Sequence, residues 1–319
     1  MTREGIAVVG TLLVDNLYEI SAYPAEGELT QIRSVSLACG GLVPNNGIGL
    51  KKIAPAMPVF AVGKVGNDDS GNYALRVMRE AGVDVSLVKV ASDERTSFTD
   101  VMSVPGAQRT FFTYPGACAT FGADDIDFDK LTCKMLHLGY FLLLDKVDAG
   151  DGLKILKEAK ARGIKTSIDL VSENSDRYQL VLPCLPYVDN LIVNELEAGK
   201  LAGMPATEEN LPAIAKKLLD MGVSERVIIH QPSMGLCCTR EGVTVLPSCR
   251  LPKGYIKGKT GAGDAFCSGA LIAIARDAAP AEILELAEAA AVASLTAPDA
   301  TSGILPEQAL LENIRKFER

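Results

Sequence analysis

From about residue 124 onward the chain alternates between two hydrophobic patterns that require different backbones, and this limits the fold more than any other feature. Residues 135–138, 166–169, 187–193 and 227–230 are short apolar runs, the pattern of strands buried on both faces. Residues 153–161 and 211–219 lie between them with apolar side chains at helical spacing, and 265–275, 281–295 and 306–317 continue that period. Strand and helix in repeated alternation predict parallel crossovers. The expected class is therefore α/β, a doubly wound, mostly parallel sheet flanked by helices.

The first third reads differently. Residues 5–10 look like one more buried strand, but 29–37 and 96–104 alternate polar and apolar residues, and 109–114 is short and aromatic-rich. Period-two alternation describes a sheet with one wet face. Pro105 and Gly106 supply a turn between the last two segments, which predicts a hairpin over 96–114. No linker composition, repeat or low-complexity tract separates this region from the rest. We expect a single domain over 1–319 with a small β-sheet lid formed by about 11–38 and 96–118.

A chain of 319 residues can bury a large core without staples. Its eight cysteines show no C-x-x-C spacing and share the chain with only two histidines, His137 and His230, which argues for reduced thiols and against zinc. With 32 basic against 40 acidic residues the net charge is −8, and no basic face offers itself to nucleic acid. Residues 1–4 are polar with no secretory pattern, and the apolar stretch around 283–295 is broken by Glu285 and Glu288. A cytoplasmic, non-membrane protein is expected.

The segment most informative about chemistry is Thr260-Gly261-Ala262-Gly263-Asp264-Ala265. Small residues enter a helix there, so the amides of Ala262, Gly263 and Asp264 should lie free at its positive end and form an anion hole. Asp264 could simply stabilise the helix start. A carboxylate beside an anion hole repels phosphate, however, unless it faces the hydroxyl that attacks it, which is what phosphoryl transfer needs. Just upstream, Gly254 to Thr260 imitates a P-loop but has three residues between its glycines where four are required. Gly10 belongs to no G-x-G-x-x-G, which disfavours a nicotinamide dehydrogenase.

In motif order the chain resembles the ribokinase-like (PfkB-type) carbohydrate kinases. The run from Gly10 to Asp15 is similar to that family's first strand and sugar-contacting aspartate, and Gly40-Gly41 with Asn45 to its Gly-Gly and Asn signature. The segments 62–68 and 81–84 resemble its next strand and helix, Asn194-Glu195-Leu196-Glu197 its N-x-x-E element, and Gly261 to Asp264 its catalytic signature. The resemblance implies an ATP-dependent kinase acting on a sugar or polyol. Asp264 would be the base and Gly261, Ala262 and Gly263 the anion hole. Asp15, Gly41 and Asn45 would bind substrate, Asn194 and Gly235 would lie at the nucleotide, and Glu197 with Asn194 would hold Mg²⁺ through water. It also makes a homodimer through the lid plausible.

Three departures bear on that picture. Gly258-Lys259-Thr260 stands where the family has Asp-Thr-Thr, so dependence on a monovalent cation is not expected, and Lys257 or Lys259 is a candidate for the missing positive charge. His230 and Pro232 replace the Thr and Gly of the nucleotide turn, leaving Gly235 as its only match. His230 can then serve the nucleotide or the strand end. Keto-deoxygluconate kinases carry an arginine where Tyr114 falls, which favours a neutral sugar or polyol over an acidic one, although Arg109 remains a candidate anchor for a phosphorylated substrate. A nucleoside kinase and a silent sugar- or nucleotide-binding regulator are the rivals.

Overall fold

Alternate residues of one strand, Ile6–Val9, enter two different hydrophobic cores: Ala7 and Val9 join one cluster, Ile6 and Val8 the other. A strand divided in this way lies in a sheet covered on both faces, as the continuous apolar runs require. The computed structural model describes residues 3–319; Met1 and Thr2, half of the polar start, lie outside the described residues.

In chain order the strands are β1 (Ile6–Val9), β2 (Leu13–Ile20), β3 (Ile32–Gly40), β4 (Val59–Val62), β5 (Lys64–Gly66), β6 (Lys89–Ala91), β7 (Ser97–Ser103) and β8 (Thr110–Tyr114). They continue as β9 (Met135–Phe141), β10 (Lys165–Leu170), β11 (Asn190–Asn194), β12 (Arg226–Gln231), β13 (Met234–Thr239) and β14 (Gly242–Pro247). The helices are α1 (Leu42–Ile53), α2 (Asp69–Glu80), α3 (Gly116–Thr120), α4 (Gly152–Ala161), α5 (Glu195–Ala202), α6 (Leu211–Asp220), α7 (Ala262–Ala275), α8 (Pro280–Ser294) and α9 (Glu307–Ile314). Among the described residues no helix is long and apolar enough to cross a membrane.

The main sheet runs β14-β13-β12-β11-β10-β9-β1-β4 and is parallel from β12 to β4, as expected. Its other edge is different: β12, β13 and β14 form an antiparallel meander, which the strand–helix rhythm did not announce. The strand expected over 187–193 begins only at Asn190. Arg177–Tyr187 winds instead in 3₁₀ turns containing Pro183 and Pro186, residues with no N–H to give a ladder.

A separate sheet, β3-β2-β7-β8, holds the alternating segments, with β7 and β8 as the expected antiparallel hairpin. Only β7 carries its alternation into burial, hiding Ser97, Thr99 and Val101. All of β8 and residues 32–37 of β3 are exposed. The C-terminal end of β3 is tied to α2, where Tyr73 Oη donates to Leu37 O at 3.0 Å and Cys39 packs against the core.

Glycine brings α1 and α7 together. A Cβ on Gly49 would stand 2.7 Å from Ser268 Oγ, so only a bare backbone allows the two helices this approach. Their N-terminal ends consequently meet, although they lie more than 200 residues apart in the chain.

Candidate active site

At the entry to α7 the backbone turns left-handed at Gly261 (φ +75°), whose added Cβ would lie 2.2 Å from Ala300 Cβ. Among the described residues the amides of Gly263 and Asp264 have no acceptor, as expected of an anion hole. Ala262 differs: its amide already reaches Lys259 O at 3.3 Å. Two free amides remain at this helix end.

Asp264 is buried in this first turn. Asn45 Nδ2 donates to its Oδ2 at 2.8 Å, and Tyr140 Oη lies 3.0 Å from both of its oxygens. Burial lifts its pKa to about 7, with the negative charge of Asp169 adding to the rise and the donors Asn45 and Tyr140 opposing it. A carboxylate poised near neutrality, deprotonated by a small pH change, suits a general base.

Asn45 is carried on the first turn of α1, which opens at Gly41 (φ +87°). Thr11 fixes that turn: its Oγ1 accepts from Leu42 N at 2.9 Å and its carbonyl from Val43 N at 3.0 Å. A Cβ on Gly41 would lie 2.7 Å from the same carbonyl. Asp15, on β2, packs against Gly40, and burial raises its pKa to about 6. No hydrogen bond links Asp15 to Asn45 or Asp264; the fold places it next to the glycine pair and outside the Asp264 network.

Asn194 and Glu197 form a reciprocal capping box at the start of α5. Asn194 Oδ1 accepts from Glu197 N at 2.9 Å, and Glu197 Oε2 accepts from Asn194 N at 3.1 Å. Ser172 Oγ donates to Glu197 Oε1 at 2.8 Å and receives Asn194 Nδ2 at 2.7 Å. Burial lifts the Glu197 carboxyl to about 7 against these donors. The pair thus caps α5 and also faces a cavity of about 190 Å³, which both residues line together with Asp169, Gly261, Gly263 and Asp264.

A second cavity of about 450 Å³ lies across the same helix end and shares Asn194, His230 and Gly263 with the first. Met234, Gly235, Leu246, Phe266, Leu284 and Val292 give it largely apolar walls. His230 packs on Phe266 with ring centroids 4.8 Å apart, and burial lowers its pKa to about 4, so the ring is neutral. Lys259 reaches the wall of the larger cavity, and both Lys257 and Lys259 are exposed. A Cβ on Gly258 would stand 2.7 Å from Ala297 O, which leaves no room for the family's carboxylate. The residues here do not fit a monovalent-cation site of that kind.

Sequence reasoning missed Tyr140 and Asp169. Each lies at or near the C-terminal end of a parallel strand, where open α/β sheets place ligands, and that position was the available signal. It also did not foresee that His137, Asp169 and Cys267 gather within 4.8 Å of one another. Hydrogen bonding accounts for this group, since His137 lies 3.2 Å from Asp169 Oδ2, 3.4 Å from Cys267 Sγ and 3.1 Å from Ser167 Oγ.

Known proteins resemble the chain along most of its length. The ribokinase of Arabidopsis thaliana is 25% identical over 289 residues, covering 90% of this chain and 74% of that one. A deoxyribokinase of Salmonella typhi is 24% identical, with 82% of each chain covered. The solved structure of the Arabidopsis ribokinase with ribose and ATP superposes with a TM-score of 0.85 over 99% of both chains at 22% identity, a likeness of fold. The family model of the pfkB family carbohydrate kinases matches residues 3–308. With nearly its whole length matched, the chain belongs to the pfkB carbohydrate kinases.

Proposed function

We propose that this carbohydrate kinase transfers the γ-phosphoryl group of ATP to a hydroxyl of a small neutral sugar or polyol, with Asp264 as the base. The observation that carries this reading is the position of Asp264, a buried carboxylate beside two unpaired helix-end amides where an acidic cavity meets an apolar one. The apolar cavity suits a nucleobase, and the free amides of Gly263 and Asp264, behind the bare Gly261, suit the charge on the moving phosphoryl. Asp264 takes the acceptor's proton as its oxygen attacks. Asn45, Gly41 and Asp15 form the acceptor side.

The oxygen-rich set of Asn194, Glu197 and Ser172 fits Mg²⁺, which keeps most of its water and needs few protein ligands. Asn194 and Glu197 would hold it through water, where it would neutralise phosphate charge. Residues 11–38 and 96–118 act as a lid on a single domain, excluding water from the transfer. The exposed Val35 and Leu37 on β3 and Phe111, Phe112 and Tyr114 on β8 support pairing of two lids in a homodimer. A cytoplasmic location accords with the eight free thiols.

A coupled ADP-release assay across neutral sugars, polyols, sugar acids and nucleosides tests the acceptor class. Turnover confined to nucleosides, or binding without turnover, defeats this reading. In the same assay Asp264→Asn is expected to reduce kcat by about 10²- to 10⁴-fold with folding intact; near-normal turnover defeats the base assignment.

A further inference from the structure

Between the pairs Leu138–Ile168 and Phe141–Leu170, β9 carries two residues, Gly139 and Tyr140, where β10 carries Asp169 alone. This is a β-bulge, a device that re-aims a side chain at the end of a strand. Asp169 braces it. Its Oδ1 accepts the Tyr140 amide at 2.6 Å, and its Oδ2 lies 3.2 Å from His137 Nε2, whose ring is held from the other side by Ser167 Oγ at 3.1 Å.

Two features show how closely the bulge is specified. Tyr140 sits at φ +57°, a region that bulky side chains avoid and that persists only where the surroundings enforce it. Gly139 has no room for a side chain, because its Cβ would stand 2.0 Å from Leu42 Cδ1 and 2.4 Å from Asp169 Oδ1. The result of this strained construction is a phenol whose oxygen is equidistant, at 3.0 Å, from the two oxygens of Asp264.

A phenylalanine would fill the same space, so the hydroxyl has a separate task. A single donor bridging both oxygens fixes the plane of the carboxylate and favours its ionised form. The titratable groups around Asp264 are Asp169 on β10, Tyr140 and His137 on β9, Cys267 on its own helix, Glu197 on α5 and His230 on β12. No lysine or arginine lines the cavity. Among the described residues, Tyr140 and Asn45 are the side chains that donate to this anion.

We propose that Tyr140 is a positioning residue for phosphoryl transfer: the bulge braced by Asp169 aims its hydroxyl at both oxygens of Asp264 and holds that carboxylate oriented to receive the acceptor's proton. This rests on Asp264 being the base.

The test is the pH profile of kcat/KM for the best acceptor, from pH 5.5 to 9, for wild type, Tyr140→Phe, Asp169→Asn and Asp264→Asn, with ADP binding and thermal melting as folding checks. Losing the phenolic donor is expected to move the acid limb of Tyr140→Phe upward by about one pH unit, with much of the activity recovered above it. Asp169→Asn keeps an oxygen for the Tyr140 amide and removes a negative charge, so its limb moves downward, which checks that the limb reports Asp264; should Tyr140→Phe not fold, Tyr140→Leu, which also lacks the donor, is expected to move its limb upward in the same way. An unmoved limb, whether activity is retained or uniformly reduced, overturns the proposal. If Asp264→Asn stays active, the base assignment itself fails; if it is inactive while the Tyr140→Phe limb is unmoved, only the role of Tyr140 fails.

Discussion

Replacing Glu197 by Gln isolates one buried carboxyl and makes a quantitative demand on the structure. Glu197 is 4% exposed, and burial raises its pKa from the ordinary 4.5 to about 7 even though Asn194 N and Ser172 Oγ donate to it. Below pH 4.5 both the folded and unfolded chains hold the proton. Between 4.5 and about 7 only the unfolded chain ionises, so unfolding releases a proton and stability falls as pH rises; above about 7 both states are charged and the slope ends. The gap corresponds to about 3 kcal/mol, at roughly 1.4 kcal/mol per pH unit. Gln keeps a carbonyl for Asn194 N and an amide for Ser172 Oγ but cannot ionise. The difference in urea-unfolding free energy between variant and wild type, measured without divalent cations, is expected to grow in favour of Glu197→Gln by about 2 to 3 kcal/mol from pH 5 to pH 8. Asp15 and Asp264, whose pKa values are also raised, cancel in that difference. A difference that stays flat across this range refutes the argument from burial.

Three further outcomes follow from the same geometry. Gly261→Ala puts a side chain at φ +75° against Ala300, and the left-handed penalty alone predicts a loss of about 1 to 2 kcal/mol, read as a lowered Tm together with a raised KM for ATP. Because Gly258 leaves no room for a carboxylate, activity should be the same in potassium as in a buffer free of sodium and potassium; a steep rise on adding potassium contradicts this. Phe112→Ser, at a side chain 56% exposed on β8, should shift a dimer toward monomer in light scattering, and a monomeric wild type removes the premise.

Much of the site was legible because its parts are local. Gly261 to Asp264 combines a bare turn with a helix start, and Asn194 with Glu197 is a capping box; each is complete within four residues. The free Ala262 amide was a wrong expectation for a local reason too: the 3₁₀-like contact to Lys259 O depends on how the loop closes. Tyr140 and Asp169 were invisible for a different reason. The bulge exists only in the pairing of β9 with β10, and a one-residue change of register would point Tyr140 elsewhere.

The sequence by itself determined the class of fold and the chemical type of site, because periodicity, helix entry and capping act over a few residues, where the chain's own sterics and hydrogen bonds decide. The antiparallel edge, the contact of Asn45 with Asp264 across 219 residues and that of Tyr140 across 124 were decided only in the tertiary structure. Those contacts need α1 and α7 to meet at Gly49 and β9 to bulge against Asp169. Such distances are set by packing between remote segments, and no local pattern carries them.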